Sequence, residues 1–250
     1  MAQEQHLSHI ATQWSVVRRA HSDDDDRAAA QQALLERYGG AVRRYLIASL
    51  RDTDAADEVF QDFALRFVRG DFHKAHPNHG KFRSFLKTVI SRMIIDYHRG
   101  RQRQRRHEPQ MPEDCPSAVA PNPAVVDADD EQFLTSWRED VLARCWDQLR
   151  RVEAANGRPL YTVLRHRVEH PQASSQELAE QLSARLGRPL TAGNVRVMVH
   201  RARDKFAALV LKEIADSLED ASIDLLEQEL IALRLHDYCR DALTPLRQEA

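Results

Sequence analysis

The chain has 250 residues, 42% hydrophobic and 30% charged, which leaves room for one or two ordinary domains with a real core and excludes a disordered polymer. Its formal net charge of −2, from 36 Lys and Arg against 38 Asp and Glu, taken whole points to neither a nucleic-acid binder nor an acidic tail protein. Eight glycines, and ten prolines of which half fall within residues 109–123, argue against Gly-rich phosphate loops and turn-dense β-folds, and predict a mostly helical chain with one break.

The first ten residues are polar and lack the apolar segment of a secretory signal, and no stretch reaches the ~18 apolar residues that a membrane span needs. Cys115, Cys145 and Cys239 are odd in number, far apart and without a C-x-x-C pair, so neither a disulfide framework nor a zinc knuckle follows. The expectation is a cytoplasmic protein with no membrane association. In residues 28–50, Ala33, Leu34, Tyr38, Ala41, Val42, Tyr45, Leu46 and Leu50 recur at spacings of three and four and predict an amphipathic helix. Residues 54–68 repeat the pattern with Ala55, Val59, Phe60, Phe63, Leu65 and Phe67. A loop around Pro77 and Asn78 separates these from a third helix bearing Phe82, Phe85, Leu86, Val89, Met93, Ile94 and Tyr97.

The neutral total conceals two cationic zones. Residues 81–106 hold nine Lys and Arg against Asp96, and residues 185–212 hold seven against Asp204. Between them, residues 108–131 carry seven acids, no Lys or Arg and the clustered prolines, which reads as an extended, self-repelling linker and a domain boundary. Beyond it, Phe133, Leu134, Trp137, Val141, Leu142, Cys145, Trp146 and Leu149 predict another helix, as do residues 160–168. Ser174 and Glu177 have the spacing of a capping box, opening a helix through Leu178, Ala179, Leu182 and Leu186 that Gly187-Arg188-Pro189 ends. Thr191 is the expected N-cap of a basic helix to about residue 211, with Val195, Val199, Ala202, Phe206 and Leu209 inward.

Helix, turn, basic helix is the arrangement that enters a DNA major groove. The outward positions, Asn194, Arg196, Val197, His200, Arg201 and Arg203, include the side chains that pair bidentately with guanine and adenine. A solvated basic face on an ordinary helix pair would look the same. In the first zone, Phe82, Phe85 and Tyr97 are interleaved with Arg83, Lys87, Arg92 and Arg99, the mixture that single-stranded nucleic acid requires, although the spacing of the aromatics also fits core packing.

These residues together resemble bacterial RNA polymerase sigma factors of the sigma-70 family, in particular the small extracytoplasmic-function (ECF) type with only domains 2 and 4. The resemblance lies in Leu34-Leu35-Glu36-Arg37-Tyr38, the acidic Asp57-Glu58-Val59-Phe60-Gln61-Asp62-Phe63, Phe82-Arg83-Ser84-Phe85-Leu86, Ile95-Asp96-Tyr97-His98-Arg99, and Val195 to Val199 followed by Arg201-Ala202-Arg203. It implies an all-α chain of two small helical domains: domain 2 over residues 12–106, a linker over 107–132, a helix-turn-helix domain 4 over 133–211, and a C-terminal helical extension over 212–250. It further implies that Asp57, Glu58, Gln61 and Asp62 dock on core RNA polymerase, whose clamp and flap regions receive such factors. Lys81, Arg83, Phe85, Lys87, Arg92, Asp96 and Arg99 would act at the −10 element, holding a flipped base. Thr191, Asn194, Arg196, Val197, His200, Arg201 and Arg203 would read −35 duplex. An anti-sigma protein is a common partner in the family. Lys87, Ile90 and Arg92 depart from the family pattern and make the melting surface more cationic.

Two features fall outside that pattern. His73, His76 and His79 form an H-x-x-H-x-x-H run around Pro77 and read as solvated loop histidines rather than a metal site. Residues 213–230 carry seven acids and no Lys or Arg, with Ile223, Leu226, Leu230, Leu233 and Tyr238 as an apolar stripe. A helix packed on domain 4 is expected, and the sharper reading is an acidic face that shields the recognition helix. With no nucleophile–base pair, phosphate loop or convergent metal ligands, no enzyme activity and no cofactor are expected. The alternative function is a free-standing helix-turn-helix regulator, and a metal hydrolase built on the histidine run is more distant.

Overall fold

The computed structural model describes residues 20, 27–69, 82–107, 123–218 and 222–249, and among them every regular element is an α-helix, as the all-α expectation requires. Helices α1 (Arg27–Leu50) and α2 (Thr53–Arg69) form a tight hairpin. Arg51, at φ 53°, turns the chain, and Asp52 Oδ1 accepts from the backbone N–H of Asp54 and Ala55 at 3.0 and 3.2 Å, capping α2. Leu34, Tyr38, Ala41, Val42, Tyr45 and Leu46 of α1 are buried, as are Ala55, Ala56, Val59, Phe63 and Phe67 of α2. The buried Gln31 amide donates to the carbonyls of Ala20 and Val68 at 2.9 and 3.0 Å and so ties α1 to the end of α2. Helix α3 (Phe82–His107) buries Leu86, Ile90 and Met93, at spacings of four and three.

The predicted stripes differ from these faces in detail. Ala33 and Leu65 are exposed and Leu50 is half-buried, while α3 turns Ile90 inward and leaves Val89, Ile94 and Tyr97 half-buried. Periodicity fixes a face to within about one residue of rotation, and the packed neighbour decides the rest.

Helix α4 (Pro123–Asn156) begins inside the span expected to be a linker, of which residues 108–122 lie outside the described residues. Pro123 is compatible with a first helical position because it has no N–H to satisfy. Two compact units divide the chain, one of Met1–Asp140 with Asp216–Asp220 and the other of Val141–Ala215 with Ala221–Ala250. By packing, Phe133, Trp137 and Asp140 group with the first unit. In the first unit Trp137 stacks on Tyr38 with centroids 5.1 Å apart, Phe133 meets Tyr45 edge-on at 5.0 Å, and Asp140 pairs with Arg44.

The second unit holds the end of α4, then α5 (Leu160–Glu169), α6 (Ser175–Leu186), α7 (Ala192–Ala215), α8 (Ile223–Ala232) and α9 (His236–Glu249). Val163, Leu178, Ala179, Leu182 and Val195 make one core cluster. A second apolar region gathers Phe206, Leu209, Val210 and Ile214 of α7 with Leu226, Leu230, Leu233, Leu235, Cys239 and Leu243, all buried. Helix α7 packs against α8 and α9 as well as α5 and α6, and Phe206 lies 4.7 Å from Trp146 and 5.9 Å from Tyr238 between ring centroids.

Candidate functional site

On α2, Glu58, Gln61 and Asp62 are exposed and Asp57 is half-buried. Asp57 is engaged within the fold: Arg43 of α1 donates to both its oxygens, at 2.7 and 3.0 Å. That hydrogen bonding holds the Asp57 carboxyl below its ordinary value and raises the Arg43 guanidinium. Asp62 pairs with Arg66 one turn on at 2.8 Å. Asp57 thus ties α1 to α2, and the outward acidic surface is carried by Glu58 beside Gln61.

Helix α3 brings Phe85, Arg92, Asp96, Arg99 and Arg103 to one face, at helical spacings of seven, four, three and four. Arg92, Asp96, Arg99 and Arg103 are exposed and Phe85 is half-buried, so the aromatic sits at the edge of a cationic surface. Arg99 lies 3.9 Å from Asp96, a loose exposed pair. Arg83 and Lys87, half-buried, fall on the other side of the buried stripe and do not join that face. Lys81, His73, His76 and His79 lie outside the described residues. Sequence reasoning missed Asp52, which besides capping α2 stands 3.8 Å from Arg101, itself a donor to Tyr97 Oη at 3.3 Å.

In the second unit, Ser174 Oγ accepts from Glu177 N–H at 3.2 Å and the Glu177 carboxylate accepts from Ser174 N–H at 2.7 Å, the reciprocal box predicted for the start of α6. The helix ends at Gly187, whose φ of 64° and ψ of 24° are left-handed. Leu190 N–H then donates to Ser183 Oγ at 2.9 Å, folding the turn back onto α6. Thr191 Oγ1 accepts from Asn194 N–H at 3.1 Å, while Asn194 Oδ1 accepts from Thr191 N–H at 3.1 Å and Oγ1–H at 2.7 Å. Asn194 is therefore committed to the cap through its oxygen, and its NH2 remains as the group able to face a ligand.

Asn194, Arg196, Val197, His200, Arg201 and Arg203 are all exposed, and the geometry of α7 places Val197 near the middle of the outward arc with Arg196 and Arg201 on either side. Val197 is 49% exposed, the only apolar group among those six. Arg203 lies where α9 begins to cover α7, its carbonyl accepting from Tyr238 Oη at 3.5 Å. A cleft of about 620 Å³ there is lined by His200, Arg203, Asp204, Asp237, Tyr238 and Asp241 among others. Three of the acids of residues 213–230 are engaged within the unit: Glu213 is buried and accepts from Arg144 and Gln148 at 2.8 and 3.0 Å, Glu229 is buried, and Glu227 pairs with Arg247. The observed contacts of the extension are those of a packed pair of helices.

The two surfaces of the first unit coincide with a family relationship. Residues 34–104 match the model of sigma-70 region 2, spanning most of α1, all of α2 and nearly all of α3. The match supports a sigma-70 family sigma factor, and such a region implies contact with core RNA polymerase and promoter DNA in transcription initiation. No curated protein and no solved structure matches the chain. Among the described residues no helix is long and apolar enough to cross a membrane.

Proposed function

We propose that the chain is an ECF-type sigma factor that brings core RNA polymerase to promoters, with its first unit acting on core and the −10 element and its second reading −35 duplex. The observation that carries this reading is the match of residues 34–104 to sigma-70 region 2, falling on helices that present an acidic surface on α2 and a cationic one on α3. Acidic groups suit a basic polymerase surface, and the Phe85 edge of the cationic face suits an unstacked base. In the second unit the exposed basic arc of α7, launched by the Thr191 cap after the turn at Gly187, has the form of a recognition helix. A factor of this kind is not itself an enzyme and works in the cytoplasm.

The test combines purified core polymerase, this protein and a library of promoter fragments in run-off transcription. Initiation dependent on the protein is expected. Glu58→Lys with Gln61→Lys should abolish core binding while leaving the Arg43–Asp57 bridge in place. Absence of both core binding and initiation would overturn the proposal, and tight sequence-specific DNA binding without core would favour the free-standing regulator instead.

A further inference from the structure

At the end of α5 the chain reads His166-Arg167-Val168-Glu169-His170, two imidazoles four residues apart with a carboxylate between them. Glu169 ends α5 and His170 is its C-cap, and one donor atom from each of the three lies within 4.8 Å of the others. His166 is buried, at 8% exposure, whereas Glu169 and His170 are exposed, so the group backs onto the fold and opens to solvent. The two imidazole centroids are 4.3 Å apart.

The hydrogen bonds around the rings determine which nitrogens are available. His166 Nε2 is 2.7 Å from Gln181 Oε1 on α6, and His170 Nδ1 is 3.0 Å from the His166 carbonyl oxygen. Both partners are oxygens that only accept, so each of those nitrogens carries a proton and donates. The lone pairs are then on His166 Nδ1 and His170 Nε2. An imidazole whose far nitrogen donates to a carbonyl or amide oxygen is fixed in tautomer and orientation, the support that metal-bound histidines receive. Glu169 Oε1 accepts from Arg165 Nε at 2.8 Å, which steadies the carboxylate and leaves Oε2 to bind.

We propose that His166 Nδ1, His170 Nε2 and the Glu169 carboxylate hold a divalent transition-metal ion of the zinc class. Two imidazoles and one carboxylate suit Zn²⁺, whereas Mg²⁺ and Ca²⁺ take oxygen ligands. Exposure of Glu169 and His170 lets both close on an ion anchored by the buried His166. Gln181 is a positioning residue. Through it the ion braces the last turn of α5 against α6, the helix that precedes the basic helix α7.

The test uses the full chain, stripped with a chelator and carrying His73→Ala, His76→Ala and His79→Ala so that the separate histidine run does not contribute. Zn²⁺ is titrated calorimetrically and Co²⁺ by its visible absorption, which reports nitrogen and oxygen ligation. Uptake of a single Zn²⁺ per chain is expected. Adding His170→Ala or Glu169→Gln, both at exposed positions, should weaken it at least tenfold with unchanged circular dichroism. Gln181→Ala should weaken it about 10–100-fold while retaining the Co²⁺ spectrum. No uptake at micromolar Zn²⁺, or uptake that His170→Ala and Glu169→Gln leave unchanged, would overturn the proposal.

Discussion

Gly40 shows how one residue can be governed by a partner a hundred positions away. A Cβ at Gly40 would stand 2.6 Å from Asp140 Oδ1, the oxygen that Arg44 holds. Alanine in place of glycine in a helix ordinarily gains about 1 kcal/mol, whereas displacing a charged hydrogen bond costs about 1.5–3 kcal/mol. Gly40→Ala should therefore destabilise the protein in urea unfolding, and should stabilise it when introduced into Asp140→Ala. An equal effect in both backgrounds would show that the contact is relieved elsewhere. Burial pushes the Cys239 thiol up to about 12, and Cys145 is fully buried. Neither should react with iodoacetamide at pH 8 in the native state, while both should in denaturant, as site-mapped mass spectrometry would read. The ion pairs were not legible in the sequence: Arg44 with Asp140 and Arg43 with Asp57 are separated by 96 and 14 residues, and helical spacing carries no information on such pairs.

At the scale of the element, local chemistry was the most readable. Ser174 with Glu177, Gly187 and Thr191 are signals within a few residues of one another, and each forms the cap or stop expected of it. Ser174→Ala should cost about 1 kcal/mol and lower the thermal midpoint. The Glu177 carboxyl, held below its ordinary 4.5 by the Ser174 backbone N–H, is favoured as the anion in the folded state. Its contribution is present above pH 4.5 and is lost as pH falls through the lowered folded value. Glu177→Gln should accordingly flatten the acid limb of stability against pH, which circular dichroism melts across pH 2–7 would reveal. The faces of helices were less readable than their caps. Val89 and Ile94 fit the predicted stripe of α3 as well as Leu86 and Met93 do, yet Ile90 is the residue that α3 buries with them. In the candidate site, the outward positions of α7 were legible from their phase, but the use of the Asn194 oxygen in the cap was not. The His166, Glu169 and His170 group was not read from the sequence, and Gln181, which fixes the first ring, comes from another helix.

For the whole molecule, the two cationic zones were evident from segment charge, whereas the grouping of residues along α4 depends on packing. Phe133 and Trp137 continue the same helical period as Val141 and Cys145, and only their stacking partners, Tyr45 and Tyr38, assign them to the first unit. Most of the extension after residue 211, from Ala221 on, is part of the second unit. Leu226, Leu230, Leu233, Leu235 and Leu243 are buried, each worth roughly 1.5–3 kcal/mol when fully covered. A chain ending at residue 211 should lose cooperative unfolding of that unit and aggregate, as light scattering and melts would show. The masking idea is better tested with Asp237→Asn and Asp241→Asn, which line the cleft beside His200 and Arg203 without contributing to the core. Unchanged promoter affinity in that double variant would remove it.

Val197 gives the outward arc of α7 an apolar centre between guanidinium groups. If α7 reads duplex, that isopropyl group has a natural counterpart in the thymine 5-methyl, which uracil lacks. Replacing thymine by uracil, position by position along the bound site, would then locate the base beneath Val197 by a loss of affinity that Val197→Ala erases.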